Sequence, residues 1–177
     1  RALHMALSFT RAEILAEIVR TVAAFRRAAA HAGDVYIRLQ VSRGAGPIGL
    51  DVALADKPEF VILVQRCPTT TVEKMRTGLK LSIATGLRRN PVESLSPAWK
   101  TGNYLNNILG LREARDRGAD EVVMLSLNDE VTEAAVSNLG FVRDGAVATP
   151  PLSVGILGGI TRKLVLEKIG SRAGIPV

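Results

Sequence analysis

The sequence predicts an α/β protein, because stretches with helical spacing alternate with short stretches of strand character. From Thr10 to Ala30, apolar side chains recur every three or four residues, which is typical of an amphipathic helix. Val35 to Val41 alternates as a half-buried strand does. A second helical stretch, Asn103 to Arg117, leads into the apolar strand Glu121 to Leu125. Helices that alternate with strands in this way indicate an α/β fold.

Length and composition indicate a globular protein of one large domain or two small ones. The chain has 177 residues, of which 47% are hydrophobic and 23% charged. No apolar run reaches the ~18 residues of a membrane span, and from the pattern of the first residues we expect no secretory signal. Cys67 is the single cysteine, which excludes an internal disulfide and favours a reducing, cytoplasmic location. Because Arg1 is not a methionine and Val177 follows closely on a helix, we expect the chain to be truncated at both ends.

The positive charge favours a small anionic ligand over a nucleic acid. The net charge is +6, but the basic residues are scattered and mostly have acidic neighbours in sequence. Aromatic residues make up 4%, so few side chains are available to stack on bases. His4 and His31 lie far apart without partners at ligand spacing, so we expect no metal site.

Local signals set the expected bounds of the elements in the first part of the chain. Thr10 and Glu13 have the spacing of a capping box. The helix is expected to end at His31–Asp34, with Gly33 near its C-terminus. Tyr36, Arg38 and Gln40 share one face of the first strand. The following strand, Phe60 to Val64, is almost wholly apolar and is expected to be buried.

A glycine-rich segment between these strands has the spacing of a dinucleotide fingerprint. The segment is Gly44 to Gly49. Pro47 and the following Leu50 to Val52 do not resemble the opening of a helix, which the fingerprint requires. We therefore interpret the glycines as those of a tight loop after a strand.

A change of character at Arg66 to Thr71 predicts a domain boundary. This stretch contains a proline and three consecutive threonines between two patterned regions. We therefore expect a small N-terminal domain over residues 1–66, a linker over residues 67–71 and a larger domain over residues 72–177.

In the second part, turn residues separate short strands and helices. Pro91 and Pro97 mark turns that lead to Lys100, Asn128–Asp129 supplies a further turn, and Asp144–Gly145 is a hairpin signal. The remaining predicted elements are a strand over 78–85, a return strand that opens at 131–133, hairpin strands within 141–147, and a last helix over 162–172.

Three features of the second part could form one site. Lys100 lies just before a helix in a small, polar segment, where it is either an ordinary surface lysine or a nucleophile. Glu133 is a lone carboxylate among apolar and small residues, which is costly unless it has a partner. Gly158 to Thr161 opens a helix and offers free N–H groups for a phosphate. A lysine, a carboxylate and a phosphate cradle are together the parts of a pyridoxal-phosphate site.

Four groups of short sequence motifs, in the same order along the chain, resemble those of the class IV pyridoxal-phosphate aminotransferases. This family includes branched-chain aminotransferases, D-amino acid aminotransferases and aminodeoxychorismate lyase. The first two motifs are Tyr36–Arg38 and Lys100–Asn107. The third group is Val131–Glu133 with Ser137–Asn138 and Arg143–Gly145, and the fourth is Thr149–Leu152 with Gly155–Arg162. The resemblance covers nearly the whole chain and implies pyridoxal-phosphate fold type IV and an active site between domains, near the subunit interface of a homodimer.

The resemblance also implies roles for particular residues. Lys100 would form the Schiff base with pyridoxal 5′-phosphate and act as general acid and base. Glu133 would pair with the pyridine nitrogen, and Tyr104 would donate to the phenolic oxygen unless it is a core tyrosine. The other implied contacts are Leu157 with the ring face, Ile160 and Thr161 with the phosphate, and Arg38 with the substrate carboxylate; Arg38 could equally be an outward-facing strand residue.

The sequence departs from the family pattern at several positions. Arg1 does not replace the family's phosphate-binding arginine, which would precede this chain. Ala134, Ala135 and Val136 stand where a glycine and serines are usual, and Gly140 stands where a bulky residue is usual. Ile48 and Leu50 stand where D-amino acid enzymes have arginine and histidine, which argues against that subgroup.

The function implied is transfer of an amino group between an amino acid, with branched-chain types favoured, and a 2-oxo acid. Two alternatives stay open. An aminodeoxychorismate lyase would use the same residues, and a non-catalytic fragment or degenerate homologue would have lost cofactor binding.

Overall fold

The computed structural model describes residues 2–176, except for the side chain of Ser171. Arg1 and Val177, on which the expectations about the chain ends depend, lie outside the described residues. The chain divides after Thr71 into two compact units. No helix within residues 2–176 combines the length and apolar character needed to cross a membrane.

The first unit begins with helix α1 (Arg11–Ala29). The predicted capping box is present, since the Thr10 hydroxyl accepts from Glu13 N–H and the Glu13 carboxylate accepts from Thr10 N–H. The helix ends within one residue of the predicted stretch, but its C-cap is not the predicted glycine. Ala30 adopts the left-handed conformation (φ 46°) and its N–H bonds Arg26 O, so the chain leaves the helix before Gly33 is reached.

Strands β1 (Val35–Ser42) and β2 (Glu59–Arg66) pair antiparallel in this unit. The prediction that the second strand is buried is wrong, because α1 packs against β2 and, among the described residues, only alternate side chains of that strand are even half-buried. Phe60, Ile62 and Val64 are half-buried, whereas Val61 and Leu63 are exposed. A side-chain period of two therefore runs through this apolar stretch.

The glycine-rich segment between β1 and β2 forms a loop, as predicted. A Cβ at Gly44 (φ 94°) would lie 2.0 Å from Lys57 O, so the close approach of two backbones requires glycine there. The segment leads into a single 3₁₀ turn, Val52–Leu54, and not into an α-helix.

The second unit is built on a three-stranded sheet. The order of elements is α2 (Val72–Thr77), β3 (Leu81–Ile83), α3 (Leu105–Asp116), β4 (Glu121–Leu125) and β5 (Val131–Ala134). Strands β3 and β4 are parallel, and β5 pairs antiparallel with β4. Helix α3 packs on the sheet over a small core, which consists of Ala84, Ala114, Ala119, Val122, Met124 and Ala135. The strand predicted over 78–85 is shorter, because Gly78 (φ 73°) is still part of the turn after α2.

A hairpin and a last helical segment complete the unit. Strands β6 (Phe141–Arg143) and β7 (Ala146–Ala148) are joined by Asp144 and Gly145, both with positive φ as a type I′ turn requires. After a 3₁₀ turn, helix α4 (Ile160–Leu164), a π turn (Val165–Ile169) and helix α5 (Gly170–Ala173) follow without a break. The last helix begins two residues before the predicted start because Gly159 is its N-cap.

Candidate active site

A cavity of about 720 Å³ lies within the second unit. Its walls come from the end of β5, the loop before α3 and the start of α4. The sequence-predicted residues that line it are Lys100, Tyr104, Glu133, Leu157, Ile160 and Thr161. Arg38 belongs to the first unit, where it lies on β1 opposite Leu63, and its role at the substrate carboxylate stays a prediction.

Lys100 lies in the loop that precedes α3 and is exposed. The neighbouring backbone holds this loop in tight turns, since Thr101 N–H bonds Trp99 O at 2.9 Å and Tyr104 N–H bonds Gly102 O at 2.9 Å. Helix α3 begins at Leu105 with Tyr104 as its N-cap, later than the predicted start at Asn103. Lys100 is therefore carried by an irregular segment and not by the first turn of the helix.

Glu133 lies on β5 with its carboxylate buried and surrounded by donors. Oε1 accepts from Arg89 Nη2 at 2.7 Å. Oε2 accepts from Asn138 Nδ2 and from Leu157 N–H, each at 3.1 Å. Three donors from the described residues thus contact a carboxylate that offers about four acceptor positions when it is ionised. This count leaves about one acceptor position for which the described residues supply no donor.

The environment of Glu133 both penalises and supports its charge. Burial raises the pKa of the carboxyl above its ordinary value, because it disfavours the ionised form. The positive charge and hydrogen bond of Arg89, the N–H of Leu157 and the charge of Lys100 oppose this rise in pKa without cancelling it. A further positively charged donor in the cavity would therefore favour the ionised carboxylate.

Arg89 is not among the predicted site residues. In the sequence it belongs to the scattered basic residues that have nearby acidic neighbours, whereas its partner Glu133 is 44 residues away. Its backbone N–H bonds Leu125 O at 2.8 Å, next to β4. Its Nη1 donates to Asn107 Oδ1 at 3.0 Å, and Asn107 Nδ2 donates to Ala135 O at 2.7 Å. The requirement that a buried carboxylate have a cationic partner is readable from the sequence, but the choice among many arginines is not.

The turn from Leu157 to Thr161 forms the opposite wall of the cavity. Gly159 N–H bonds Leu157 O at 2.8 Å, and the first backbone hydrogen bond of α4 runs from Lys163 N–H to Gly159 O. The N–H groups of Ile160 and Thr161 therefore precede the hydrogen-bond ladder and lie at the end of the helix that attracts anions. Arg162 adds a positive charge to this wall, and its guanidinium donates hydrogen bonds to Thr149 Oγ1 and Pro150 O.

The stretch that follows Glu133 makes the cavity apolar on one side. Ala134, Ala135, Val136 and Gly140 all line it, and Val136 is 81% exposed. These four residues are among the expected departures from the pattern of the family that the sequence resembles. Within residues 2–176, no group of three or more histidine, cysteine or acidic side chains is placed to hold a metal ion.

The profile of the family described as "Amino-transferase class IV" matches residues 1–177. A putative branched-chain-amino-acid aminotransferase of Methanocaldococcus jannaschii is 39% identical over 81% of this chain and 48% of its own length. The aminodeoxychorismate lyase of Bacillus subtilis is 31% identical over 76% of this chain and 44% of its own length.

Solved structures share the fold. The branched-chain aminotransferase of Thermoproteus uzoniensis, solved with norvaline, has a TM-score of 0.83 at 31% identity, over 99% of this chain and 56% of that one. The branched-chain amino acid aminotransferase of Thermobaculum terrenum, solved in its PLP form, has a TM-score of 0.79 at 26% identity, over 99% of this chain and 55% of that one. The chain spans about half the length of these relatives. A family match over the whole chain, together with the shared fold, establishes that this chain is a member of the class IV amino-transferases with pyridoxal-phosphate fold type IV.

Proposed function

We propose that the protein is a pyridoxal-phosphate-dependent aminotransferase whose cofactor binds in the cavity of the second unit. The observation that carries the proposal is the open acceptor position on Glu133. Three neutral or cationic donors already surround this buried carboxylate, and the carboxylate lines a cavity large enough for a ligand of cofactor size. A protonated pyridine nitrogen is a donor of the charge that the site favours.

The other walls match the rest of the cofactor. The N–H groups at the start of α4 and the charge of Arg162 suit a phosphate. Leu157 offers an apolar contact for a ring face, and Tyr104 offers a hydroxyl donor. Lys100 Nζ is the primary amine in the cavity lining, and it would form the covalent link and move a proton to and from the substrate Cα. When bound, the cofactor supplies an aldehyde and an electron-withdrawing ring.

The apolar lining favours an amino acid with an aliphatic side chain. Ala134, Ala135 and Val136 offer no hydroxyl or charge to a polar substrate group. The proposed reaction exchanges an amino group between a branched-chain type of amino acid and a 2-oxo acid. Arg38 is proposed to bind the substrate carboxylate, and the enzyme is proposed to act as a cytoplasmic homodimer with a domain boundary near residues 67–71.

Borohydride trapping tests the cofactor assignment. The protein is incubated with pyridoxal phosphate, reduced, digested and analysed by mass spectrometry. The expected result is a pyridoxyl mass on the peptide that contains Lys100, and its loss in Lys100→Ala. Lys163→Ala is the matched control, because Lys163 is exposed on α4 in an ion pair with Glu167 and lies outside the cavity lining. Equal labelling of several lysines, unchanged in Lys100→Ala, would support a non-catalytic protein and reject the proposal.

A lyase is the second candidate, favoured by the similarity to the Bacillus subtilis aminodeoxychorismate lyase. It would use the same lysine, carboxylate and phosphate wall. The two activities differ in their products. Release of pyruvate from aminodeoxychorismate without an amino acceptor would identify the lyase, whereas consumption of a 2-oxo acid in step with a branched-chain amino acid would identify the aminotransferase.

A further inference from the structure

The side chain of Asn138 lies between the two walls of the cavity that the cofactor would touch. Its Nδ2 donates to Glu133 Oε2 at 3.1 Å and to Leu157 O at 2.8 Å. Both partners are acceptors, so the nitrogen and not the oxygen of the amide must face them. One amide thus joins the carboxylate wall to the turn that precedes α4.

The oxygen of the same amide lies against Gly159. A Cβ built on Gly159 would be 2.1 Å from Asn138 Oδ1 and 3.3 Å from Asn138 Cγ. No side chain fits at that distance, so glycine is required at this position for as long as Asn138 keeps its place. The backbone conformation of Gly159 is ordinary (φ −64°, ψ 143°), so the requirement comes from the contact and not from backbone strain.

The hydrogen bond from Asn138 to Leu157 O also holds the turn that precedes α4. Leu157 O accepts both from Asn138 Nδ2 and from Gly159 N–H, each at 2.8 Å, and Leu157 N–H donates to Glu133 Oε2. Asn138 therefore restrains the carbonyl of a residue whose own N–H holds the carboxylate. The positions of Glu133 and of the start of α4 are linked through one side chain.

We propose that Asn138 is a positioning residue that fixes the spacing between the Glu133 carboxylate and the N–H groups at the start of α4, so that the ring nitrogen and the phosphate of one ligand are bound together. The proposal rests on the proposed function and deepens it. The proposal assigns Asn138 no bond or proton change, and its effect comes through the two walls that it joins.

A comparison of binding affinities measures how strongly Asn138 links the two walls. Asn138→Leu keeps the size of the side chain and removes both donated hydrogen bonds. We expect the affinity for pyridoxal phosphate, measured by calorimetry, to fall about tenfold to a hundredfold. The affinity for inorganic phosphate, which would contact only the start of α4, should change much less, and the affinity for pyridoxal, which lacks the phosphate, should fall less than that for pyridoxal phosphate. Asn128→Leu is the control, because Asn128 lies in an exposed turn outside the cavity lining. Equal losses for pyridoxal phosphate and pyridoxal would overturn the proposal.

Gly159 provides an independent test. Gly159→Ala should weaken pyridoxal-phosphate binding in the wild-type background, because the new methyl group displaces Asn138. It should have little further effect when combined with Asn138→Ala, which removes the obstructing atoms. This non-additivity is the sign of direct coupling between the two residues. Additive effects would show that the two positions act separately and would contradict the proposal.

Amide hydrogen exchange, measured without the cofactor, tests whether Asn138 holds the turn that precedes α4. In Asn138→Leu, exchange at Leu157 and Gly159 should be faster by about tenfold, with no change in α3. Unchanged exchange would overturn the positioning role even if cofactor affinity falls. If the wild-type protein binds no pyridoxal phosphate, the proposed function fails, and the exchange result still decides whether Asn138 fixes the turn.

Discussion

Arg89 and Glu133 form an ion pair at 2.7 Å in which only 12% and 7% of the two side chains are exposed. The adjacent arginine forms a pair of the same length, Arg88 with Asp129, but there the exposed fractions are 33% and 71%. The two pairs have similar contact distances and differ in burial. Burial decides the cost of losing a partner, since an unpaired charge inside the protein cannot be solvated.

Loss of the buried arginine should therefore destabilise the protein far more than loss of its neighbour. We expect Arg89→Met to lower the free energy of unfolding by about 3–5 kcal/mol, because it leaves the Glu133 carboxylate without its cation. Arg88→Met should cost about 0–1 kcal/mol. Urea unfolding of both variants measures the difference. Similar costs for the two variants would mean that the buried pair contributes no more than a surface pair.

The pH dependence of stability should carry the signature of Glu133. Burial raises the pKa of this carboxyl in the folded state, so its contribution to stability is complete below the unfolded value of about 4.3 and is lost as the pH rises through the folded pKa. Glu133→Gln cannot ionise. From about pH 4 upward, the wild type should lose stability relative to the variant, as followed by urea unfolding at several pH values. Parallel profiles would contradict a raised pKa.

Glu113 should show the opposite dependence. Its carboxylate accepts from the N–H groups of Thr85 and Gly86 and from the Thr85 hydroxyl, and it pairs with Arg117. The hydrogen bond from Thr85 N–H is the main cause that lowers the pKa of Glu113. The contribution of Glu113 to the free energy of unfolding is present above its unfolded pKa of about 4.3. It is lost as the pH falls through the folded pKa.

The variant Glu113→Gln should consequently be less stable than the wild type at neutral pH, and the gap should close below about pH 4. Glu167→Gln is the control, since Glu167 forms a long ion pair of 3.9 Å with exposed Lys163. A gap that persists in acid would show that the hydrogen bonds of Glu113 do not depend on its charge. Urea midpoints across the pH range separate these outcomes.

Gly110 is a buried position of helix α3 at which a substitution should stabilise the protein. A Cβ there would contact Val122, Leu87 and Met124 at 3.5–3.7 Å, which is ordinary van der Waals distance. Gly110→Ala should raise the free energy of unfolding by about 0.5–1 kcal/mol, because alanine loses less backbone entropy in a helix. Gly118→Ala should lower it by about 1 kcal/mol, since Gly118 has φ 71°. Thermal unfolding of both variants checks the opposite signs.

Local chemistry made much of the second unit predictable. The strand Glu121–Leu125 has the predicted bounds, and the turn at Asp144–Gly145 follows from the ease with which these residue types adopt positive φ. The burial of β2 was not predictable from its apolar run, because the run does not reveal how many faces of a sheet are covered. Arg89 and Asn138 were not predicted as site residues for a related reason. Their hydrogen-bond partners are distant in sequence and are brought close only by the tertiary fold.

The separation of Arg89 from Glu133 along the chain has a consequence for folding. Closing a segment of 44 residues costs about 3 kcal/mol of chain entropy before the ion pair can form. The segment contains α3 and the β4–β5 hairpin, whose own contacts are shorter in range and reduce that cost once they exist. We therefore expect the helix and hairpin to form in the folding transition state, and the charged wall of the cavity to close only on the native side of the barrier.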